Sequence, residues 1–460
     1  MLDCAIAFFR EFVYYAPMPL DKKNVAVIGI GRVGLPLALI LADKGYQVLG
    51  VDVDRDRLAS INQKILPFLE EGADALLKKY YGNGFSTVYN DLGPSIEKSD
   101  IIIITLGTPI DTSYTPNFSQ IIDFFEEACP FLREGQLIIL RSTIAPGVTE
   151  SVKRLIALKS NLKVGHDIFL AYCPERIAEG KAVQELSEIP QIIGSLDEKS
   201  ANMAANLFRK ITKTIHFTNP LSAELAKLYC NIYRYIDFAI GNEFMMIAEQ
   251  QGADIYEVLR LVNDGYKRAG LKSPGFTAGP CLVKDSFFLL DKSPYLDLMV
   301  AAWRINENLP GFLVNKLKEK HGSFIGKKVA ILGLAFKKNI DDTRYSLTPK
   351  LQNYFLGEGA SVMAHDPLID SDTLEATLED ADFVIIATNH DQYKESALKQ
   401  IIRYAKESCI ICDIWNMWGT NKILFNLDDL RIKKSPKPNY YTKKTNGISI
   451  PPTTGLDAQI

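Results

Sequence analysis

Cys281 ends a Gly/Pro-rich segment, Ser273 to Pro280, and is followed by Lys284 and Asp285. A thiol is a strong nucleophile only as its thiolate, which needs a nearby positive group or a helix N-terminus, and a loop gives a substrate access to it. A loop cysteine alone is as readily inert, so its company decides. Lys227, Asn231 and Arg234 recur at i, i+4 and i+7 in the proline-free stretch Ser222 to Gln251, which places them on one helical face. Lysine, amide and guanidinium along one stripe can hold an oxygen that develops charge and grip a sugar or phosphate. The stripe can also be a solvated face. Against that stand its apolar flanks Leu225, Leu228, Tyr229, Ile232, Tyr233 and Ile236, which leave little of such a helix wet. Glu175 and Glu179 follow the apolar run Ile168 to Tyr172, at the carboxyl end of a strand where α/β sheets collect ligands. A carboxylate there can act as general base for water, while two glutamates in a charged turn can equally be surface.

The elements that must position these groups begin at Asn24. A β-branched run, Val25 to Ile28, passes into a glycine turn, a helical stretch from Leu35 to Lys44, and a second run, Gln47 to Val53. Gly29, Ile30, Gly31, Arg32, Val33 and Gly34 spell GxGxxG between strand and helix. Gly29 permits the tight turn, Gly31 lets a pyrophosphate approach the backbone, Gly34 allows helix and strand to pack, and the helix N-terminus favours negative charge. Asp52 then accepts from an adenosine ribose and repels a 2′-phosphate, so the expected cofactor is NAD and not NADP. Arg57 is placed either near the adenosine or as an exposed helix arginine.

Further runs at Ile101 to Thr105, Leu137 to Leu140 and Ile168 to Tyr172 alternate with helical pattern, which predicts a parallel sheet covered on both faces. Ser222 and Gly252 bracket one long helix, and helical pattern resumes from Ala301 to Lys320. At Lys327 the strand grammar restarts with KKVAILGLAF, SVMAHDP, DADFVIIATN and SCIICDIW. Only Gly333 follows its first strand, so this sheet is not expected to hold a second dinucleotide, although another nucleotide can use its carboxyl edge. The expected fold is α/β, with two Rossmann-like doubly wound parallel-sheet domains joined by a long central helix. Its expected divisions are an N-terminal extension 1–23, an NAD-binding domain 24–217, a helical dimerisation domain 218–321, a second α/β domain 322–435 and a flexible tail 436–460.

A chain of 460 residues suits about three domains. With 52 basic against 55 acidic residues, the net charge of −3 gives no sequence-wide footprint for nucleic acid or an anionic membrane. Seven cysteines at irregular spacing argue against a disulfide framework and for a reducing, cytoplasmic compartment. Cys409 and Cys412 read as part of a buried strand and not as metal ligands, and the five histidines show no ligand spacing, so no metal is expected. The apolar start lacks a basic region and carries Asp3, Arg10 and Glu11, which reads as a packing extension and not an export signal. No run reaches about 18 uninterrupted apolar residues, so no membrane span is expected.

Seven segments in order carry a resemblance: GIGRVGLP at 29–36, GTP at 107–109, STIAPGVT at 142–149, CPERIAEG at 173–180, AELAKLYCNIYR at 223–234, PGFTAGPCLVKD at 274–285 and GLAFKKNIDDTR at 333–344. They resemble the UDP-glucose/GDP-mannose dehydrogenase family of nucleotide-sugar 6-dehydrogenases. The resemblance implies NAD-dependent, four-electron oxidation of a sugar C6 hydroxyl to a carboxylate. It implies that Cys281 attacks the aldehyde, Lys227 stabilises the oxyanion, Asn231 holds the oxygen or a water, Glu175 serves proton transfer and hydrolysis, and Asp285 positions water. It places Thr108, Thr143, Glu179 and Arg344 near the dinucleotide, and Arg234, Arg268, Lys272, Phe276, Gly279, Phe336 and Lys337 around the nucleotide sugar. It also implies a homodimer built on the long helix, with the carboxyl-terminal unit closing over UDP.

Two departures stand out. Ala278-Gly279-Pro280 replaces the Gly-Gly-Ser of many UDP-glucose enzymes, and Asp413-Ile-Trp415-Asn416 replaces a pattern that often includes arginine. The segment Asn231 to Arg234 is closer to the branch acting on UDP-N-acetylhexosamines of the ManNAc, GlcNAc or GalNAc type than to UDP-glucose or GDP-mannose enzymes. The product would feed polysaccharide or glycan synthesis. One rival is a two-electron β-hydroxyacid dehydrogenase, which needs neither the cysteine nor a second α/β unit. Another is a nonenzymatic sugar-nucleotide sensor, which the joint presence of Cys281, Lys227, Asn231, Glu175 and Asp285 disfavours.

Overall fold

The computed structural model describes residues 23–109, 111, 119–292 and 295–431; the expected amino-terminal extension before Lys23 and the tail beyond residue 431 lie outside the described residues. The chain falls into two compact units, one of residues 1–108 and 118–225, the other of residues 109–117 and 226–460.

The first unit is built on strands β1 (Asn24–Ile28), β2 (Gln47–Asp52), β3 (Phe85–Tyr89), β4 (Ile101–Ile104), β5 (Leu137–Leu140), β6 (Phe169–Tyr172), β7 (Gln191–Ser195) and β8 (Ile215–Thr218). They form one sheet in the order β3-β2-β1-β4-β5-β6-β7-β8. The central strands IIII, LIIL and FLAY are buried along their whole length because helices cover both faces, so no alternation of polar residues is needed. β7 runs antiparallel to β6, a departure from the all-parallel expectation. The edge strand FSTVY and the short QIIGS and IHFT lack a long apolar run, which is why periodicity did not reveal them. β2 stops at Asp52, and Val53 beyond it is 70% exposed.

The long helix runs Pro220–Gln251, two residues earlier than expected. Its cap is Asn219 and not Ser222: the Ser222 amide donates to Asn219 Oδ1 at 2.8 Å, and Pro220 occupies the first turn, where a missing N–H costs nothing. Gly252 ends it with φ +70°, the left-handed conformation favoured after a helix. The helix Asp297–His321 starts four residues ahead of the expected Ala301 and tolerates Pro310 inside it.

The second unit holds β9 (Lys328–Leu332), β10 (Ser361–His365), β11 (Phe383–Ile386), β12 (Ile410–Cys412) and an unanticipated antiparallel β13 (Leu424–Asn426), in the order β10-β9-β11-β12-β13. Leu309, Leu313 and Leu317 of helix Asp297–His321 share one core with Phe324, Val329 and Ile331, so the helical middle and the second sheet fold together. Cys409 and Cys412 are buried on and beside β12, and burial pushes the Cys409 thiol up to about 12. Among the described residues no helix is long and apolar enough to cross a membrane.

Asp413, directly after β12, is fully buried. Burial raises its carboxyl to about 6, opposed by the amides of Met417 and Trp415, which donate to it at 2.7 and 3.1 Å. A folded-state value above the unfolded one means that its contribution to stability is complete below about pH 4 and is lost as pH rises through about 6. Between pH 4 and 7, Asp413→Asn should therefore gain up to ~3 kcal/mol relative to the parent, measured by urea unfolding at each pH; parallel stability curves would reject the assignment.

Candidate active site

The glycine turn is shaped for a ligand. Gly29 has φ +88°, and a Cβ on Gly34 would lie 2.0 Å from the Gly29 carbonyl oxygen, so only glycine lets the helix Gly34–Asp43 leave the turn at this distance. A Cβ on Gly31 would meet nothing within 4 Å, which leaves the backbone open to an approaching phosphate. At the end of β2 the Ile30 amide and Arg57 Nη1 donate to Asp52 Oδ2, each at 2.8 Å, and the Asp54 amide donates to Oδ1 at 3.0 Å. Oδ1 keeps an acceptor direction for a ribose hydroxyl, so the residues fit an adenosine. Arg32 Nη1 pairs with Glu179 Oε1 at 2.8 Å, and its guanidinium lies 5.0 Å from the Phe68 ring centre. Sequence reasoning missed Glu70, which is buried and accepts the amides of Gly180 at 3.0 Å and Ala182 at 2.6 Å, holding the turn that bears Glu179. Thr108 is buried beyond β4, and Thr143 is half-buried beyond β5.

Glu175 is not bland surface. Its Oε1 accepts the amides of Arg176 and Ile177 at 2.7 and 2.9 Å, and its Oε2 accepts Arg141 Nη2. Arg141, 2% exposed, also donates through Nη1 to the Cys173 carbonyl and to Gln191 Oε1. The signal for Arg141 was legible as a charge directly after the apolar strand LIIL.

In the second unit Lys227, Asn231 and Asp285 are all buried together. Asn231 Nδ2 donates to Asp285 Oδ2 at 2.6 Å, and Lys227 Nζ stands 4.0 Å from the same oxygen. Asp285 Oδ1 is buried with no hydrogen-bond partner. Burial raises the Asp285 carboxyl above its ordinary value, opposed by Lys227, Lys284 and the Asn231 hydrogen bond. Cys281 is exposed and immediately precedes the short helix Leu282–Asp285 that carries the acid. Two of the six apolar flanks expected to keep the long helix dry are exposed. Lys227 and Asn231 are covered, while Tyr229 and Tyr233 are 54% and 69% exposed, because the chain's own apolar elements pack on the other side.

The cysteine loop is docked by its glycines. Gly275 N donates to Asn242 Oδ1 at 2.9 Å, Asn242 in turn donates to Asn306 Oδ1 at 2.9 Å, and a Cβ on Gly275 would lie 2.2 Å from the Trp415 ring. Sequence reasoning missed this buried amide chain. Gly279, φ +104°, lies against Phe336: a Cβ there would be 2.6 Å from the ring. Phe276 and Lys337 are buried, and Arg234 is half-buried. Arg268 and Lys272 are exposed; Arg268 lies over the Tyr266 ring and Lys272 Nζ is 3.9 Å from Asp237. Arg344, also exposed, grips Asp342 at 2.6 Å within the second unit, whereas the other dinucleotide candidates belong to the first.

A glycine turn with its acid in one unit fits a dinucleotide, and the chain is a nicotinamide-dependent dehydrogenase. The chain belongs to the UDP-glucose/GDP-mannose dehydrogenase family, whose NAD binding domain matches residues 23–212, central domain 221–308 and UDP binding domain 330–420. It is 33% identical over 402 residues to the UDP-N-acetyl-D-mannosamine dehydrogenase of Methanocaldococcus jannaschii, covering 85% of this chain and 91% of that protein. The solved UDP-D-ManNAc dehydrogenase of Pyrococcus horikoshii superposes with TM-score 0.78 at 32% identity, over 83% of this chain and 93% of the other. A UDP-glucose dehydrogenase structure from Pyrobaculum islandicum gives TM-score 0.76 at 25% identity, over 87% and 96%.

The Gly279–Phe336 contact predicts the result of Gly279→Ala. Positive φ and a ring in the way should cost about 2 kcal/mol and displace the segment leading to Cys281. A lowered melting temperature with a reduced kcat is expected; an unchanged kcat/KM would show that the loop's seating is irrelevant to turnover.

Proposed function

We propose that this chain oxidises the C6 hydroxyl of a UDP-sugar to the carboxylate, with a UDP-N-acetylhexosamine as substrate. The observation that carries this reading is the buried group Lys227, Asn231 and Asp285 on the elements that lead to Cys281. Simple alcohol oxidation needs no nucleophile, whereas acyl chemistry needs a thiol, a fixed cation and a place for water. The names of the archaeal relatives, UDP-N-acetyl-D-mannosamine dehydrogenases, support the sugar, as does Arg234 on the same helix. UDP-glucose and GDP-mannose are the alternative substrates.

Gly29 to Gly34, Asp52, Arg57, Thr108, Thr143, Glu179 and Arg344 would hold NAD, which when bound supplies the hydride acceptor for each of two oxidations. Lys227 stabilises the C6 oxygen as it loses its proton. At the aldehyde level the Cys281 thiolate adds to C6 and forms a C–S bond, giving a thiohemiacetal whose oxyanion Lys227 again meets. Its oxidation leaves a thioester. Water positioned by Asp285 and Asn231 attacks the acyl carbon, the C–S bond breaks, and the thiolate is recovered with the carboxylate while the released protons pass to the neighbouring carboxylates. Glu175, held by Arg141, serves proton transfer in these steps. Arg234, Arg268, Lys272, Phe276, Gly279, Phe336 and Lys337 surround the nucleotide sugar, and the domains divide near residues 217, 321 and 435.

The enzyme would act in the cytoplasm as a homodimer and supply glycan synthesis. An exposed apolar stripe on the long helix, Tyr229, Tyr233, Ile240, Phe244 and Ile247, supports the dimer. Phe244→Glu, which puts a charge in that stripe, should convert dimer to monomer in sedimentation velocity; an unchanged species would move the interface elsewhere.

With UDP-N-acetylmannosamine, two NADH should form per uronate, read at 340 nm. Cys281→Ser should abolish uronate and trap an aldehyde-level or covalent species, since a hydroxyl is the poorer nucleophile. A 1:1 ratio, or full uronate turnover by the variant, would remove the cysteine from the mechanism. A melting shift with UDP-sugar and no NADH would favour a sensor.

A further inference from the structure

We propose that His390 and Asp366 are positioning residues that hold loop 334–340 against the UDP moiety, a reading that rests on the roles proposed for Phe336 and Lys337. The second sheet repeats the nucleotide turn of the first bond for bond. Gly29 N donates to the Val51 carbonyl at 2.8 Å, and Gly333 N to the His365 carbonyl at 2.8 Å. The next residues are Asp52 and Asp366. Their Oδ2 atoms accept the amides of Ile30 at 2.8 Å and Leu334 at 2.7 Å. Their Oδ1 atoms accept the amides two residues on, Asp54 at 3.0 Å and Leu368 at 2.9 Å.

Beyond the glycine the two diverge. The first turn enters its helix at Gly34, whereas the second sheet's helix begins only at Thr348, and the inserted loop carries Phe336 and Lys337. In the first unit Asp52 Oδ2 also takes Arg57; in the second, Asp366 Oδ2 takes the Ala335 amide at 3.0 Å and His390 Nε2 at 3.1 Å. His390 is fully buried and its Nδ1 accepts the Asn339 amide at 2.9 Å, so the ring proton sits on Nε2 and is donated to the acid. Thr388 Oγ1 donates to the Ala335 carbonyl at 2.6 Å. The loop is thus clamped at Leu334 and Ala335 by Asp366 and Thr388, and at Asn339 by His390. Phe336 and Lys337 lie between the clamps. The acid that faces a ribose in the first sheet is spent in the second on fixing the loop.

His390→Asn keeps an acceptor near the Asn339 amide and removes the bond to Asp366. Calorimetry with UDP and the full chain should show binding weakened about tenfold, the loss of roughly one buried hydrogen bond to a charged group. The KM for UDP-sugar should rise in step, while kcat and the KM for NAD stay within about twofold, because neither atom touches the reacting carbon; a general structural defect would move all of them. Equal UDP affinity in a folded variant overturns the proposal. If His390→Asn does not fold, Thr388→Val decides, because it removes the hydroxyl that donates to the Ala335 carbonyl at 2.6 Å and so loosens the same loop while keeping the side chain's size. About threefold weaker UDP binding supports the clamp, and equal binding overturns it. A parent chain that binds no UDP overturns both this inference and the substrate reading beneath it; a parent that binds UDP while variants match it overturns the clamp alone.

Discussion

A carboxyl with no solvent exposure, Asp285, sits at the end of the short helix that follows Cys281, and its burial constrains what packs around it. Asp285 has one oxygen without a partner, and Lys227 at 4.0 Å, the Asn231 amide at 2.6 Å and the charge of Lys284 offset the loss of water around the carboxyl. Lys227 and Asn231 stand one helical turn apart on the long helix, so the helix cannot rotate or slide without stranding the charge. The short helix Leu282–Asp285, and with it Cys281, is fixed by the same pairing. A buried carboxyl with an unpartnered oxygen is a cost to the fold.

The two sheets show opposite uses of one turn. In the first, the turn is kept open: the space beside Gly31 is empty, and Asp52 retains an acceptor position. In the second, an inserted loop fills that position, and a Cβ at Gly333 would lie 2.4 Å from Thr388. The docking of Gly279 on Phe336 ties this loop to the segment that leads to Cys281 within one core. Buried Asn242 and Asn306 extend that core to the two long helices.

Much of this was legible from residue order. GxGxxG after a β-branched run, with Asp52 at the next strand end, specifies a dinucleotide turn because backbone geometry allows few residues there. The periodic spacing of Lys227, Asn231 and Arg234 placed them on one face, and apolar runs marked the central strands, which are buried on both sides. Periodicity fails where packing and not pattern makes the element: β7 and β8 are short, and β13 pairs antiparallel at an edge. It also expected the flanks Tyr229 and Tyr233 to be covered although they are exposed, since an apolar tyrosine stripe looks the same in a core and on an unpaired surface.

Local chemistry along the chain therefore determined the turn, the strand grammar and the shared face of Lys227, Asn231 and Arg234, because each depends on neighbours within a few turns or one strand. Tertiary structure alone decided which charges are buried and what meets them. Arg141 finding Glu175, His390 finding Asp366, Asn242 finding Gly275 and Asp285 finding Lys227 are pairings across 24 to 58 positions. No spacing rule reaches that far, because such contacts are set by where whole elements pack and by the cost of leaving a polar group dry.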